Sequence, residues 1–405
     1  MYFTSRVRSL CGRSDKRKKR EEFVVNMYRW FVIPIFVIVC VAVSSIPQYA
    51  FSAEQQTVDN ELTTFIQQLF ANRAKYLLRQ EDGLLRDFYM PERASSMRAM
   101  KHEQMRAQYV QMWVKHRQLQ LADAASSPRV IRAKKRNDQV FVSAVDSLRL
   151  GYTYNQPSSQ VEHFGIGTRH ALTLIRKNGS WKVLREWYLD PLEENPDLIP
   201  KLTELPRNSA SNRVNAKTNQ ASGLHSTSTR YNRDKAIDYA NKYAGIAWGA
   251  GNNHRYNPRY RDYTGQGGDC TNFASQCIGD QEGGGLRMKG GWHHYRSGGS
   301  KAWVQTDAFK NFLIYSGYGK VIKKGTYPTI VQTSNQHPNG AWAGLKAGDL
   351  IGYELNGDID HFSIVVGFDA QGYPLVNSHT ADRYRVPFDL GWDKYTMYWL
   401  IHIRD

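Results

Sequence analysis

The chain has 405 residues, 41 % of them hydrophobic and 12 % aromatic, too many for one ordinary domain and apolar enough for real cores. Its net charge is +17; residues 1–53 hold nine Lys/Arg and three Asp/Glu, which leaves 45 basic and 34 acidic residues, or +11, for the rest. That balance suits an anionic partner such as a cell-wall polymer or a membrane surface. The lack of a compact Lys/Arg stripe interleaved with aromatics argues against nucleic acid.

Residues 1–53 read as a basic leader. Arg6, Arg8, Arg13 and the run Lys16 to Arg20 precede an almost uncharged stretch from Trp30 to Pro47. The stretch is slightly short of the roughly 20 apolar residues that span a bilayer. A basic start, an apolar middle and the small residues Ala50 and Ser52 also fit a signal peptide. Either reading leaves the positive end in the cytoplasm and exports the rest, whether membrane-anchored with the C-terminus outside or secreted and wall-associated.

Residues 54–195 read as a small α+β domain. Leu62, Phe65, Leu69 and Tyr76 recur at helical spacing, and a second helical segment runs through Met97 to Leu119. Alternating strands follow in "QVFVSAVDSLRLGYTY", "HALTLIRKNG" and "SWKVLREWYLD", with Asn178-Gly179 as a hairpin turn between the last two. Helices followed by a meander, closing on "RKNGSWKVLREWYLDP", resemble the cone-shaped nuclear-transport-factor-like group. No catalytic cluster shows here, and His163 and His170 read as packing or surface residues. Residues 196–230, rich in Ser, Asn and Thr without periodicity over 205–230, read as a flexible linker.

Residues 231–405 read as helices first and an antiparallel sheet second. Helices are expected over "NRDKAIDYANKYAG", from Asp269 to Gly283, and from about Ser300 to Tyr315. Strands are expected at "DLIGYEL", "HFSIVVGFD", "YPLVNSHT" and "YTMYWLIHI".

The chemistry gathers at "GGDCTNFASQC". Asp269 is a good N-cap type, which puts Cys270 on the first helical turn, where free amides and the helix dipole favour a thiolate. Cys277 falls in the apolar stripe with Phe273, Ala274 and Ile278 and reads as a small hydrophobe. Seven helical residues span about 10.5 Å, beyond disulfide reach, so these two cysteines cannot pair. With Cys11 and Cys40 in the leader, Cys270 reads as an isolated thiol. A zinc site from Cys270, Cys277, His293 and His294 has the right residue types but the wrong spacing, so no metal and no cofactor are expected.

A thiolate needs a base, and His361 opens an apolar strand on a face shared with Ser363 and Val365. Asp360 alternates away from that face, and Asp349 reads as a turn cap. Asn377 and His379, two apart in the next strand, are both candidates to orient the imidazole; the neighbouring "HTADR" reads as a site mouth and favours His379. Oxyanion donors are sought in the Cys270 amide, with Gln266 or Tyr263 adding a side-chain donor.

"GGDCTNFASQC", "KAWVQTDAFKNFL", "LKAGDLIGYE", "DHFSIVVG" and "LVNSHTADRYRVPF" together resemble the bacterial putative amidase domain family, grouped with papain-like cysteine peptidases and amidases that trim cell-wall peptides. The resemblance covers about 231–405. It implies a papain-like fold with Cys270 as nucleophile, His361 as base and Asn377 or His379 as third member. The function expected is an exported cysteine amidase or peptidase acting on peptidoglycan peptides or other peptide amides through a thioester. A wall-binding or scaffold protein that has lost activity is the alternative.

Overall fold

The computed structural model describes residues 53–155, 160–192, 195–200 and 231–405. The leader, with its apolar run, and nearly all of the expected linker lie outside the described residues. Among those described, no helix is long and apolar enough to cross a membrane.

Two helices, α1 (Ala53–Arg79) and α2 (Ala94–His116), come first. Their buried faces carry Leu62, Ile66, Leu69, Arg73 and Leu77 on α1 and Ala107, Val110 and Trp113 on α2, at three- and four-residue spacings. They pack on strands β1 (Leu119–Ser126), β2 (Arg129–Arg136), β3 (Gln139–Tyr154), β4 (Glu162–Lys177) and β5 (Ser180–Tyr188). The β4–β5 turn is Asn178-Gly179 at φ 51° and 79°, the left-handed pair that a tight hairpin demands. Strands β1 and β2 escape the sequence reading, which carries helix through to Leu119. β2 is nearly all exposed, so it has no buried face to impose an alternating pattern.

The second half supplies α3 (Arg233–Lys242), α4 (Cys270–Gly279) and α5 (Thr306–Tyr315). The strands are β6 (Gly319–Thr326), β7 (Leu350–Leu355), β8 (Asp358–Phe368), β9 (Pro374–Ser378), β10 (Asp382–Pro387) and β11 (Met397–Ile403). α4 stops at Gly279 rather than running to Gly283. The single helix expected from Ser300 is broken, because Gln305 is extended (φ −112°, ψ 131°) between a turn at Lys301–Val304 and α5. The last two residues of "HTADR", read as a site mouth, open strand β10.

The two halves share one antiparallel sheet, ordered β1-β3-β4-β10-β9-β8-β7-β11-β6, with β2 also on β3 and β5 also on β4. The join is β4 against β10, with Gly165 opposite Tyr384 and Gly167 opposite Asp382. On the second half's sheet, alternation sorts side chains cleanly. Phe362, Ile364 and Val366 of β8 face Phe273, Ala274, Cys277 and Ile278 of α4. Tyr353, Val365, Val376 and Tyr398 belong to the core on the opposite face.

Candidate active site

Gly267 and Gly268 both take left-handed φ (108° and 122°), which turns the chain sharply into α4 and sets Cys270 at its first position. Asp269 does not cap the helix as expected. One carboxylate oxygen accepts from Tyr263 N–H and Asn272 Nδ2, both at 2.9 Å. The other lies 2.6 Å from His379 Nδ1. The Asp269 amide donates to Thr380 Oγ1 at 2.6 Å. Asp269 is drawn sideways to β9 and its following turn, away from the first-turn amides.

The remaining polar residues of the motif are mechanical fixings. Asn272 Nδ2 also donates to the Arg261 carbonyl, and its Oδ1 accepts from Trp303 Nε1. Ser275 bridges Trp292 Nε1 and the Trp303 carbonyl, and Gln276 accepts from Tyr239. "DCTNFASQC" is therefore a set of hydrogen bonds that clamps α4 to its neighbours, with one sulfur at the mouth.

That sulfur is fully buried, 3.8 Å from Thr271 Oγ1 and 4.0 Å from the carbonyl of Asp360. Cys270 is one half of a disulfide, contrary to the isolated thiol expected. Cys277 is not the other half. It is a free, buried thiol whose ionisation burial and the Asp280 carboxylate push well up, which suits its reading as a small hydrophobe.

His361 sits just after a bulge in β8, where the register against β7 shifts between Ile359 and His361. It is 9 % exposed. Its ring packs 5.8 Å from Tyr353 and 5.6 Å from Trp392, on the sheet face turned away from the body of α4. No hydrogen bond joins His361 to Cys270; the sulfur touches the backbone of the neighbouring residue instead. His361 Nε2 is buried with no hydrogen-bond partner. Burial, then the charges of Arg383 and His379, push its protonation well below the ordinary imidazole value, so the ring is a neutral base at neutral pH.

Neither proposed third member orients that ring. His379 is sandwiched between Tyr256 (3.6 Å) and Phe273 (3.8 Å), with Nδ1 on Asp269 and Nε2 2.6 Å from the Tyr243 carbonyl. Both contacts are to oxygen atoms. Asn377 donates to Asn241 Oδ1 and accepts from the Arg385 amide. The two do share a face, as their spacing requires, but it is the α3–α4 face, opposite His361. Of the oxyanion candidates, Gln266 is exposed, and the Tyr263 hydroxyl accepts from the Gly299 amide at 3.0 Å. Among the described residues no group of three or more His, Cys, Asp or Glu gathers as a metal site. His294 packs on Tyr260, and His293 Nδ1 lies by the Gly290 carbonyl.

The sequence reading misses Tyr353, Trp392, Arg383 and Thr380. Thr380, a β-branched residue at φ 80°, holds the Asp269 amide from a strained conformation. Trp392 follows Gly391 in the β10–β11 connection and gives no periodic signal.

With this geometry in hand, likeness to known proteins has a definite place. Residues 230–401 match the family model described as "Putative amidase domain". That match is confined to the C-terminal region. The chain is also similar to "Uncharacterized protein YhbB" of Bacillus subtilis (strain 168), 31 % identical over 161 residues, covering 38 % of this chain and 42 % of the relative. The chain thus spans less than half of that relative's length. Two solved structures give weak likenesses at a TM-score of 0.23. The intermembrane space region of chloroplast protein ARC6 is 12 % identical and covers 33 % of this chain and 94 % of its own. A periplasmic fragment of TraM is 14 % identical, covering 32 % and 96 %.

Proposed function

We propose that the putative amidase domain hydrolyses amide bonds with Cys270 as nucleophile and His361 as base, in an exported protein that acts on peptidoglycan peptides. The observation that carries this reading is the bare Nε2 of His361. It is neutral, unpartnered and attached to the residue after the carbonyl that Cys270 Sγ touches. Both ring nitrogens of His379, by contrast, are occupied.

The reacting form of Cys270 is the thiolate released when an external thiol reduces its disulfide and is itself oxidised. Attack on the amide carbonyl forms a C–S bond, and His361, having taken the thiol proton, gives it to the departing amine. Water activated by His361 then cleaves the thioester, returning the thiol and a carboxylic acid. Ring packing by Tyr353 and Trp392 takes the place of a polar third member in orienting His361. The excess of basic residues favours approach to anionic wall polymers.

The disulfide and full burial of Cys270 favour a second reading, a wall-binding domain without turnover. Mass spectrometry of muropeptides released by the full chain, with and without dithiothreitol, separates the two. New amide-cleavage products are expected only after reduction, and Cys270→Ala is expected to abolish them. No cleavage product from the reduced parent would leave binding as the function, and release by Cys270→Ala equal to the parent's would remove Cys270 as the nucleophile.

A further inference from the structure

On the sheet face of His361 lies a buried cation without a counter-ion among the described residues. Arg383 of β10 is 4 % exposed. Its carboxylate neighbours in sequence are committed elsewhere, Asp382 to Arg169 and Asp389 to Arg117. Asp190 is held by Arg106 and His102. Arg383 donates Nη1 to the Leu390 carbonyl at 2.8 Å and lies 5.4 Å over the Trp392 ring. Its Nε has no partner. A buried charge ordinarily has a partner of opposite sign, because removing it from water unpaired costs several kcal/mol. Burial accordingly pushes the guanidinium below its ordinary value.

Arg383 is not alone. Trp392 Nε1, Tyr398 OH, Ser363 Oγ, Ser378 Oγ and His361 Nε2 are also buried without hydrogen-bond partners. The residues lie on adjoining strands or pack on one another. Ser378 is the register partner of Arg383, and Tyr398 that of Tyr353. Tyr353 packs on Trp392 at 4.1 Å and on Tyr398 at 5.5 Å. Ser363 shares the His361 face of β8, two residues on. Native interiors leave few polar groups unpaired, so a cluster of this size points to a hydrogen-bonding ligand. Guanidinium, indole and three hydroxyls all bring protons. What completes them accepts hydrogen bonds and carries negative charge.

We propose that this cluster binds a carboxylate, anchored by Arg383, and that the enzyme therefore selects peptides with a free carboxylate close to the bond it cuts. The second half of the statement rests on the amide-hydrolase reading; the first does not. A carboxylate fits a peptide substrate and matches the planar fork of an arginine in two parallel hydrogen bonds.

The test uses the reduced full chain and two probes of nearly equal size, N-acetyl-alanine and N-acetyl-alanine amide. Binding is followed by calorimetry and by the tryptophan indole N–H signals. Saturable binding of the acid with at least tenfold weaker binding of the amide is expected, and Arg383→Gln should lower acid affinity at least tenfold. Equal binding of both probes, or binding of neither, would overturn the proposal and leave water as the occupant. That comparison needs no variant, so it decides even if Arg383→Gln fails to fold. Cys270→Ser should bind the acid like the parent. Carboxylate binding without any amide cleavage would sink the hydrolase reading and leave the Arg383 site standing.

Discussion

His361 stays neutral because its surroundings refuse it a proton. Tyr353 and Trp392 exclude water from one side, and Arg383 adds a positive charge. The sign of the resulting pH dependence follows. In the unfolded chain the imidazole titrates near pH 6.5; in the folded chain it does so well below that. Between the two values the unfolded state binds more protons, so stability falls as the pH drops below about 6.5, at up to about 1.4 kcal/mol per pH unit. His361→Gln should therefore lose less stability than the parent between pH 7 and pH 5, by about 1 kcal/mol or more. Urea titrations at both pH values measure this, and equal losses in the two proteins would mean the ring protonates freely. Asp269 shows the same dependence on context. Its type and position suit an N-cap, yet a buried imidazole at 2.6 Å outcompetes the helix amides for its second oxygen.

At the scale of elements, the contact that matters is β4 with β10. Close approach is possible there because Gly165 and Gly167 have no side chain. A Cβ at Gly165 would stand 2.1 Å from the Trp248 carbonyl oxygen, and one at Gly167 would stand 2.7 Å from the Ala247 amide nitrogen. The 245–248 segment leads into Tyr256, which stacks on His379 and holds Asp382. Gly165→Val should lower stability by at least about 2 kcal/mol, in the range of overpacked interiors, and weaken the Asp269–His379 clamp. Thermal melts and proteolysis within 245–256 would report it. An unchanged melting temperature and cleavage pattern would show that this seam bears no strain. α4 itself is legible in the sequence by its glycines, its apolar stripe and its register, but its partners are not. Trp292, Trp303 and Tyr239 find Asn272, Ser275 and Gln276 across separations of up to 37 residues.

Taken as a whole, the two halves are not beads on a linker. They share a sheet, and polar ties cross the seam. Asp389 accepts from Trp113 at 3.0 Å and from Arg117 at 2.8 Å, and Asp369 accepts from Tyr152 at 2.9 Å. Val386 and Leu390 of the second half lie in the core of the first. A fragment of residues 231–405 would expose the β10 edge and leave Asp389 without Arg117, so it should aggregate or melt well below the full chain. Calorimetry of the full chain should show one cooperative transition. Two separated transitions, or a fragment as stable as the parent, would contradict the shared sheet as a single unit.

Local patterns settled much of this protein. The two opening helices, the Asn178-Gly179 hairpin, the strand alternation of β8 and the position of Cys270 at a helix mouth follow from spacing, turn chemistry and glycine, which act over a few residues. So does the resemblance carried by "DCTNFASQC" and "DHFSIVVG". Tertiary structure alone decided what the His361 face meets, because which side of the sheet α4 covers depends on how distant helices and strands pack. It decided that Asn377 and His379 serve α3 and α4, that the halves join edge to edge, and that Arg383 is buried without an anion. Those outcomes depend on strand order and on pairings between residues far apart in the chain, which no local pattern encodes.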